Sequence, residues 1–268
     1  MAKADILLTF WGDVELLKKA VESVVAQTEK DWHLFVLDDC YPSDEPAKYF
    51  ANLKDKRITY YRHPKNIGIT KNFNYAVKKA KAPYCILLGC DDIMLPNYLE
   101  TALKNIGEAD FYQPSVDVMD GDGTVYLPLG DRIKRFLQPK KSGIYQGEKL
   151  AASLSHGNWL YFPSILWKTA TIKKYGFNDR YKIAEDVVLE MDIIKDGGRL
   201  YFDTATTFQY RRFAKSLSSV EKSKGGVRFD EEDEVYDHLA SEFKKLGWNK
   251  AARAAAWRVT SRLHRALN

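Results

Sequence analysis

The run Tyr84-Cys85-Ile86-Leu87-Leu88 is apolar on every side chain but its first, and within four residues of its end the chain sets down two adjacent carboxylates, Asp91 and Asp92. A run without alternation belongs in a strand covered on both faces, which points to a parallel sheet flanked by helices. Carboxylates at the end of such a strand are costly unless solvated, paired or bound to a cation. The carboxyl ends of parallel strands are where α/β proteins gather ligands. The first expectation for the pair is therefore a site whose occupant is a divalent metal carrying a phosphate.

The same alternation runs back to the N-terminus. Residues 6–10 read as a strand, and 14–26 as a helix with Leu16, Leu17, Ala20, Val21, Val24 and Val25 on one face. Residues 32–37 read as a strand ending at Asp38 and Asp39, followed by the turn Tyr41-Pro42-Ser43-Asp44 and a helix over about 46–53. A strand over 58–61 leads through a loop to a helix over about 70–79, and Pro96 opens the helix after the acidic pair.

After about residue 108 the rhythm changes. Residues 111–119, the turn Asp120-Gly121-Asp122-Gly123 and residues 125–127 read as a hairpin, so the sheet is expected to be mixed but mainly parallel. Residues 128–145, rich in Lys, Arg, Pro and Gly with weak periodicity, are expected to form a mobile loop over the site. Residues 164–167 read as a buried strand, 185–195 as a helix closed by Gly197 and Gly198, 200–211 as a further strand, and the chain from about Phe229 as a helical tail. The expected division is a domain over 1–222, with halves 1–108 and 109–222, and a basic helical extension over 223–268.

With 268 residues, 45% of them hydrophobic, the chain is long enough to bury a substantial core, which sets disorder aside. It contains neither an apolar stretch of the roughly 20 residues that would span a bilayer nor a signal-peptide pattern, so a cytoplasmic protein is expected. Cys40, Cys85 and Cys90 are odd in number and lack zinc-like spacing, which fits reduced thiols. The net charge of +5 is uneven: Lys244, Lys245, Lys250, Arg253, Arg258, Arg262 and Arg265 follow residue 243 without a single acid. Trp248, Trp257, Val259, Leu263 and Leu267 interleave with them, a pattern that suits an anionic surface, either membrane lipid or nucleic acid, and equally a solvated helix face.

Three carboxylate pairs stand at element ends: Asp38 with Asp39, Asp91 with Asp92, and Glu185 with Asp186. Each alone is as compatible with a cap or a solvated turn as with a site. In order, and together with Asn66, Gly68, Lys71, Asn72 and Pro96, they resemble the nucleotide-sugar half of family 2 glycosyltransferases. Leu8-Thr9-Phe10-Trp11 and Ser23-Val24-Val25-Ala26-Gln27-Thr28 are similar to that family's first strand and helix. The likeness continues through Gly157-Asn158-Trp159, Phe162-Pro163-Ser164, Tyr175-Gly176-Phe177-Asn178-Asp179, Glu185-Asp186, Tyr210-Arg211 and Ser216-Leu217-Ser218, about residues 4–220 in all.

The resemblance implies a GT-A fold, a Rossmann-like α/β architecture with a mixed, mainly parallel sheet flanked by helices. It also implies an inverting transfer of sugar from a nucleoside diphosphate donor, UDP-sugars being favoured, with Mn²⁺ or Mg²⁺ as cofactor. On that basis Asp91 and Asp92 are the expected metal ligands, and the metal would stabilise charge on the leaving diphosphate. Asp186 is the expected general base toward the acceptor hydroxyl, with Glu185 orienting acceptor or base. Both acids equally suit a helix N-terminus. Asp38 or Asp39 would meet the nucleotide base, Thr9, Phe10 and Trp11 would line base and ribose, Asn66 and Gly68 would set the turn, and Lys71 would reach ribose or phosphate. Asn158 and Trp159 are expected at the acceptor, with Trp159 and Phe162 as an aromatic wall, although aromatics there equally serve packing.

Two positions depart from the family pattern. Gly89 stands where the family commonly has the first carboxylate of Asp-x-Asp-Asp, and Phe213 stands where many members carry a histidine. Arg211, Arg212 and Lys215 are therefore expected to neutralise part of the diphosphate charge, and His63 and His156 are possible substitutes as ligands. The competing readings are a nucleotide-sugar binding protein without turnover and a nucleotidyltransferase, the latter lacking its usual Gly-rich N-terminal loop. A dinucleotide oxidoreductase lacks its G-x-G-x-x-G. The acceptor is left open among a glycan, a lipid-linked glycan at the membrane surface, a protein side chain and a hydroxylated base in DNA.

Overall fold

The computed structural model describes residues 2–181, 183–212 and 227–257, with the side chains of 227–230 excepted. At its centre lies β1 (Ala4–Phe10), paired in parallel with β2 (Trp32–Asp38) on one side and β4 (Tyr84–Leu88) on the other; β3 (Ile58–Arg62) extends the sheet beyond β2. Alternate side chains of β1 feed two cores, Ile6 and Leu8 toward one face and Leu7 toward the other, which is why these strands are apolar throughout.

The crossover helices are α1 (Val14–Val25), α2 (Glu45–Asn52), α3 (Ile69–Lys79) and α4 (Tyr98–Asn105). Asp13 starts α1 by accepting the backbone N–H of Glu15 and Leu16, and Val14, Leu17, Ala20, Val21 and Val24 bury its inner stripe. Pro96 stands two residues ahead of α4 rather than in its first turn.

The second half adds β5 (Ile93–Met94), β6 (Phe111–Met119), β7 (Val125–Tyr126), β8 (Gly143–Gln146), β9 (Leu166–Lys168) and β10 (Arg199–Arg211). Among the described residues the sheet runs β3-β2-β1-β4-β9-β6-β10-β5, with β7 on β6 and β8 on β10. Short β9 is antiparallel to both β4 and β6, while β6 and β10 are parallel, so the sheet is mixed as expected. Phe162–Ser164 form a 3-10 turn, so the strand read over 164–167 begins only at Leu166.

The helices of this half are α5 (Leu129–Leu137), α6 (Gly147–His156), α7 (Thr169–Tyr175), α8 (Glu185–Lys195), α9 (Val227–Lys245) and α10 (Asn249–Trp257). The mobile loop expected over 128–145 is instead α5 followed by β8. Its periodicity looks weak because α5 buries Asp131 and exposes Leu129 and Phe136, the reverse of an ordinary surface helix.

The helical tail is present and packs into the body. Val235, Tyr236, Leu239, Phe243, Ala251, Ala252 and Ala255 share one core with Leu150 and Leu154 of α6 and Leu189 and Ile193 of α8. Trp248, read as a possible surface anchor, packs against this core and stacks on Phe243 at 5.8 Å. Trp257 is exposed, while Arg258, Val259, Arg262, Leu263, Arg265 and Leu267 lie outside the described residues. Among the described residues no helix is long and apolar enough to cross a membrane.

Candidate active site

The parallel strands deliver their acids to one edge of the sheet. The backbone N–H of Asp39 donates to Phe10 O at 2.9 Å, which ties the ends of β1 and β2. Asp38 is fully buried; its Oδ1 accepts from Tyr41 N at 2.7 Å and its Oδ2 from the Tyr60 hydroxyl at 2.5 Å. Asp39 accepts from Ile67 N at 2.7 Å and Gly68 N at 2.9 Å, so it fixes the loop that enters α3. Gly68 needs its missing side chain here, since its φ is +85°. Between the two acids and this loop, Cys40 is left-handed with φ +61°, a conformation that costs energy in a residue with a Cβ. Trp11, 59% exposed, stands edge-on to Tyr41 at 6.4 Å, leaving an open aromatic face beside the acids.

Beyond β4 the chain turns so that both carboxylates lean over Gly89. A Cβ on that residue would collide with Asp92 Oδ2 and stand 3.2 Å from Asp91 Oδ1. As placed, the two acids occupy the space that a side chain on this residue would take. Asp92 is buried, and its Oδ1 accepts from the backbone N–H of Arg211 at 2.8 Å. Burial raises the pKa of both acids, and for Asp92 the charge of Asp91 adds to it. Two crowded carboxylates with raised pKa values form a donor set that a hard divalent cation satisfies, provided a ligand and water supply the remaining oxygens. Among the described residues no group of three or more His, Cys, Asp or Glu is placed to hold a metal.

The third pair begins α8. Glu231 of α9 accepts the backbone N–H of Ile183 at 2.7 Å and of Ala184 at 2.9 Å, which anchors the entry to the helix. Asp186 Oδ1 accepts from Val187 N at 2.7 Å. Glu185 is buried with Oε2 unpartnered among the described residues, and burial, then the Asp186 charge, pushes its pKa up to about 8. Further along the helix Glu190 is buried too: Oε2 accepts from Asn158 Nδ2 at 3.0 Å and Oε1 has no partner among the described residues. Burial, with Asp186 adding to it, holds the Glu190 pKa far above the usual carboxylate range.

Lys134 of α5 joins these groups. Its Nζ donates to Leu160 O at 2.9 Å and lies 4.5 Å from the centre of the Tyr161 ring. Burial lowers its pKa to about 8, Arg212 acting in the same direction and Asp131, Asp186 and Glu190 opposing. Arg212 in turn makes a two-pronged pair with buried Asp131, at 2.7 and 3.0 Å. A continuous set of charges therefore links the end of β10 to the start of α8.

The profile of the glycosyl transferase family 2 matches residues 5–169 of this chain, more than half of it. The chain belongs to that family. A relative described as an uncharacterized glycosyltransferase, from Methanocaldococcus jannaschii, is 27% identical over 188 residues; the match takes in 68% of this chain but 60% of the relative's length. The crystal structure of S. aureus TarS 1-349 in complex with UDP-GlcNAc superposes with a TM-score of 0.73 at 16% identity, over 96% of this chain and 72% of that one. The mannosyltransferase PcManGT from Pyrobaculum calidifontis, in complex with GDP-Man and Mn²⁺, superposes with a TM-score of 0.66 at 11% identity, over 99% and 74%. The fold of this family 2 chain is the GT-A fold. Glu185 and Asp186 lie beyond the matched residues.

Several expected residues are not where their roles require. Trp159 is fully buried, donates from Nε1 to Ser153 Oγ at 3.0 Å and packs edge-on to Phe202, and Phe162 is buried with Phe73 and Phe177; neither is an open wall for a sugar. Arg211 is 4% exposed and donates to Asp91 O, Asp120 O and Gly121 O, so it braces the acidic loop instead of facing a diphosphate. Arg212 is committed to Asp131. Lys215 and Phe213 lie outside the described residues.

Asn66, Gly68 and Lys71 are exposed on the loop and first turn of α3, and Thr9 and Asn158 are half-buried. His63 is buried against Asn72, and His156 ends α6 exposed. Sequence reasoning missed Tyr60, Asp131, Lys134 and Glu190. The signal available for the last was a lone Glu in the apolar run Val187-Val188-Leu189-Glu190-Met191, and for Asp131 a lone acid in a basic stretch.

Proposed function

We propose that this chain transfers a sugar from a nucleoside diphosphate donor, a UDP-sugar in the first instance, to an acceptor hydroxyl with inversion at the anomeric carbon. The observation that carries the reading is the convergence of Asp91 and Asp92 over Gly89 at the end of a parallel strand, beside the Asp39 and Trp11 edge that suits a nucleoside. TarS bound to UDP-GlcNAc and PcManGT bound to GDP-Man support a nucleotide sugar as donor.

In this mechanism Trp11 lines the nucleotide base, Asp39 keeps the 66–68 loop in place for the ribose, and Lys71 reaches a phosphate. Asp91 and Asp92 would hold Mn²⁺ or Mg²⁺, which when bound offsets charge on the departing diphosphate. Gly89 leaves the room for both carboxylates, and Arg211 keeps Asp92 aimed through its backbone N–H. Asp186 takes the proton of the attacking hydroxyl. Protonated Glu185 keeps a second negative charge away from it, and Asn158, held by Glu190, contacts the acceptor.

Incubation with a panel of UDP- and GDP-sugars and Mn²⁺ tests this. Release of one nucleoside diphosphate by the wild type, with at least a hundredfold loss in Asp186→Asn, supports it. Gly89, in place of the family's carboxylate, favours a second reading, a binder without turnover; that protein would bind a donor and release nothing.

A further inference from the structure

Helix α5 faces the wrong way for a surface helix. Its charged residues Asp131 and Lys134 turn inward, to Arg212 and Tyr161 and to Leu160 O. On the other side Leu129 is 65% and Phe136 78% exposed. Seven residues apart, they form one ridge along the helix. The neighbouring Tyr126 of β7 is 40% exposed and continues the apolar surface.

The exposed charge on α5 and on the chain that follows it to β8 has one sign. Between Val125 and Ile144 the only acid is Asp131, which is buried, whereas Arg132, Arg135, Lys140 and Lys141 are all exposed. Lys140 donates to Arg135 O at 2.7 Å with its Nζ 5.8 Å from the centre of the Phe136 ring, so a cation borders the apolar tip itself. Arg135 also meets Asp117 of β6 at 3.4 Å. Water alone is a poor neighbour for such a ridge. A surface that is apolar within and anionic at its edge complements both features at once.

We propose that the α5 face docks on an anionic phospholipid bilayer, with Leu129 and Phe136 entering between headgroups and Arg132, Arg135, Lys140 and Lys141 meeting phosphates. The inner face of the same helix carries Lys134 to Leu160 O, two residues from Asn158, whose amide donates to Glu190 of α8. Docking therefore brings the acceptor side of the site to the membrane and makes the acceptor a lipid-carried hydroxyl. That last step rests on the transfer reading above; the docking does not.

The test is flotation of the full chain with vesicles of phosphatidylcholine, either pure or with about one third phosphatidylglycerol, at low salt and at about 0.5 M salt. The wild type is expected to float with anionic vesicles only, and to do so at least about tenfold less at high salt. Leu129→Asp with Phe136→Asp, and separately Arg132→Gln with Lys140→Gln and Lys141→Gln, are each expected to lower binding about tenfold while leaving nucleotide binding unchanged. Failure of the wild type to float, equal binding to neutral vesicles, or wild-type binding by both variants overturns the docking. So does a dimer in sedimentation velocity that the Leu129 and Phe136 changes dissolve, since the ridge would then belong to a second copy. Floating without binding any nucleotide would overturn the transfer reading and leave the docking standing.

Discussion

The backbone N–H of Arg211 donates to Asp92 Oδ1 at 2.8 Å, joining two residues 119 apart in sequence. Through it the last residue of β10 aims a carboxylate at the end of β4, and the guanidinium braces the same loop through Asp91 O. Because a backbone group does the aiming, Arg211 acts on the acidic pair as a brace and leaves the diphosphate to other groups.

A side chain at Gly89 should therefore be harmful even when it restores a carboxylate. An added Cβ presses on Asp92 Oδ2 while Arg211 N holds the other oxygen of the same carboxylate. Gly89→Ala and Gly89→Asp are both expected to cost about 1–3 kcal/mol of stability and to weaken metal-dependent nucleotide binding about tenfold or more, measured by thermal unfolding and calorimetric titration. Tighter binding by Gly89→Asp would contradict this.

Glu185 gives stability a pH dependence of defined sign. Its pKa is about 8 in the fold against an ordinary 4.5, so the folded chain holds a proton that the unfolded chain releases between these values. The associated stability is complete below about pH 4.5 and is lost as pH rises through about 8. Glu185→Gln should remove that slope and be roughly 2–4 kcal/mol more stable than the wild type near pH 9, with little difference near pH 5. Denaturant unfolding at several pH values measures it, and parallel curves would refute it.

The hydroxyl of half-buried Tyr60 is the partner of Oδ2 of fully buried Asp38. Tyr60→Phe is expected to cost about 1–3 kcal/mol, the range for stranding a buried polar partner. Thermal unfolding reads the loss, and a variant as stable as the wild type would show that Asp38 has other support.

Glu190 should behave as a positioning residue through Asn158. Glu190→Gln keeps an oxygen to accept from Asn158 Nδ2 and should retain most turnover. Glu190→Leu leaves that amide free and should lower turnover about tenfold with donor affinity unchanged, a loss of about 1.4 kcal/mol in the transition state. Equal losses in both variants would assign Glu190 to folding alone.

What was legible in the sequence was local. The first four strands and three helices carry their own periodicity, and the acid pairs stand at their ends, so a mainly parallel α/β sheet and the positions of Asp38, Asp39, Asp91 and Asp92 could be read directly, while the GT-A fold followed from the family resemblance. α5 could not, because a helix with its charges buried gives the pattern of a loop. Arg211 and Arg212 look free in sequence, since their partners at Asp91, Asp120, Gly121 and Asp131 lie 80 to 120 residues away and are set by strand register. Trp159, expected at the acceptor, packs on Phe202 instead, and an aromatic beside a turn looks the same in sequence whether it faces a sugar or the core.

The central claim is a nucleoside diphosphate bound at the Asp91 and Asp92 pair. Calorimetric titration of UDP and GDP into the wild type and into Asp91→Asn with Asp92→Asn, in Mn²⁺ or in EDTA, tests it most directly. The account predicts that one nucleotide binds in Mn²⁺, and that chelation or the double substitution weakens it at least about tenfold, or 1.4 kcal/mol. Failure of either nucleotide to bind the folded wild type, or binding indifferent to both changes, would contradict it.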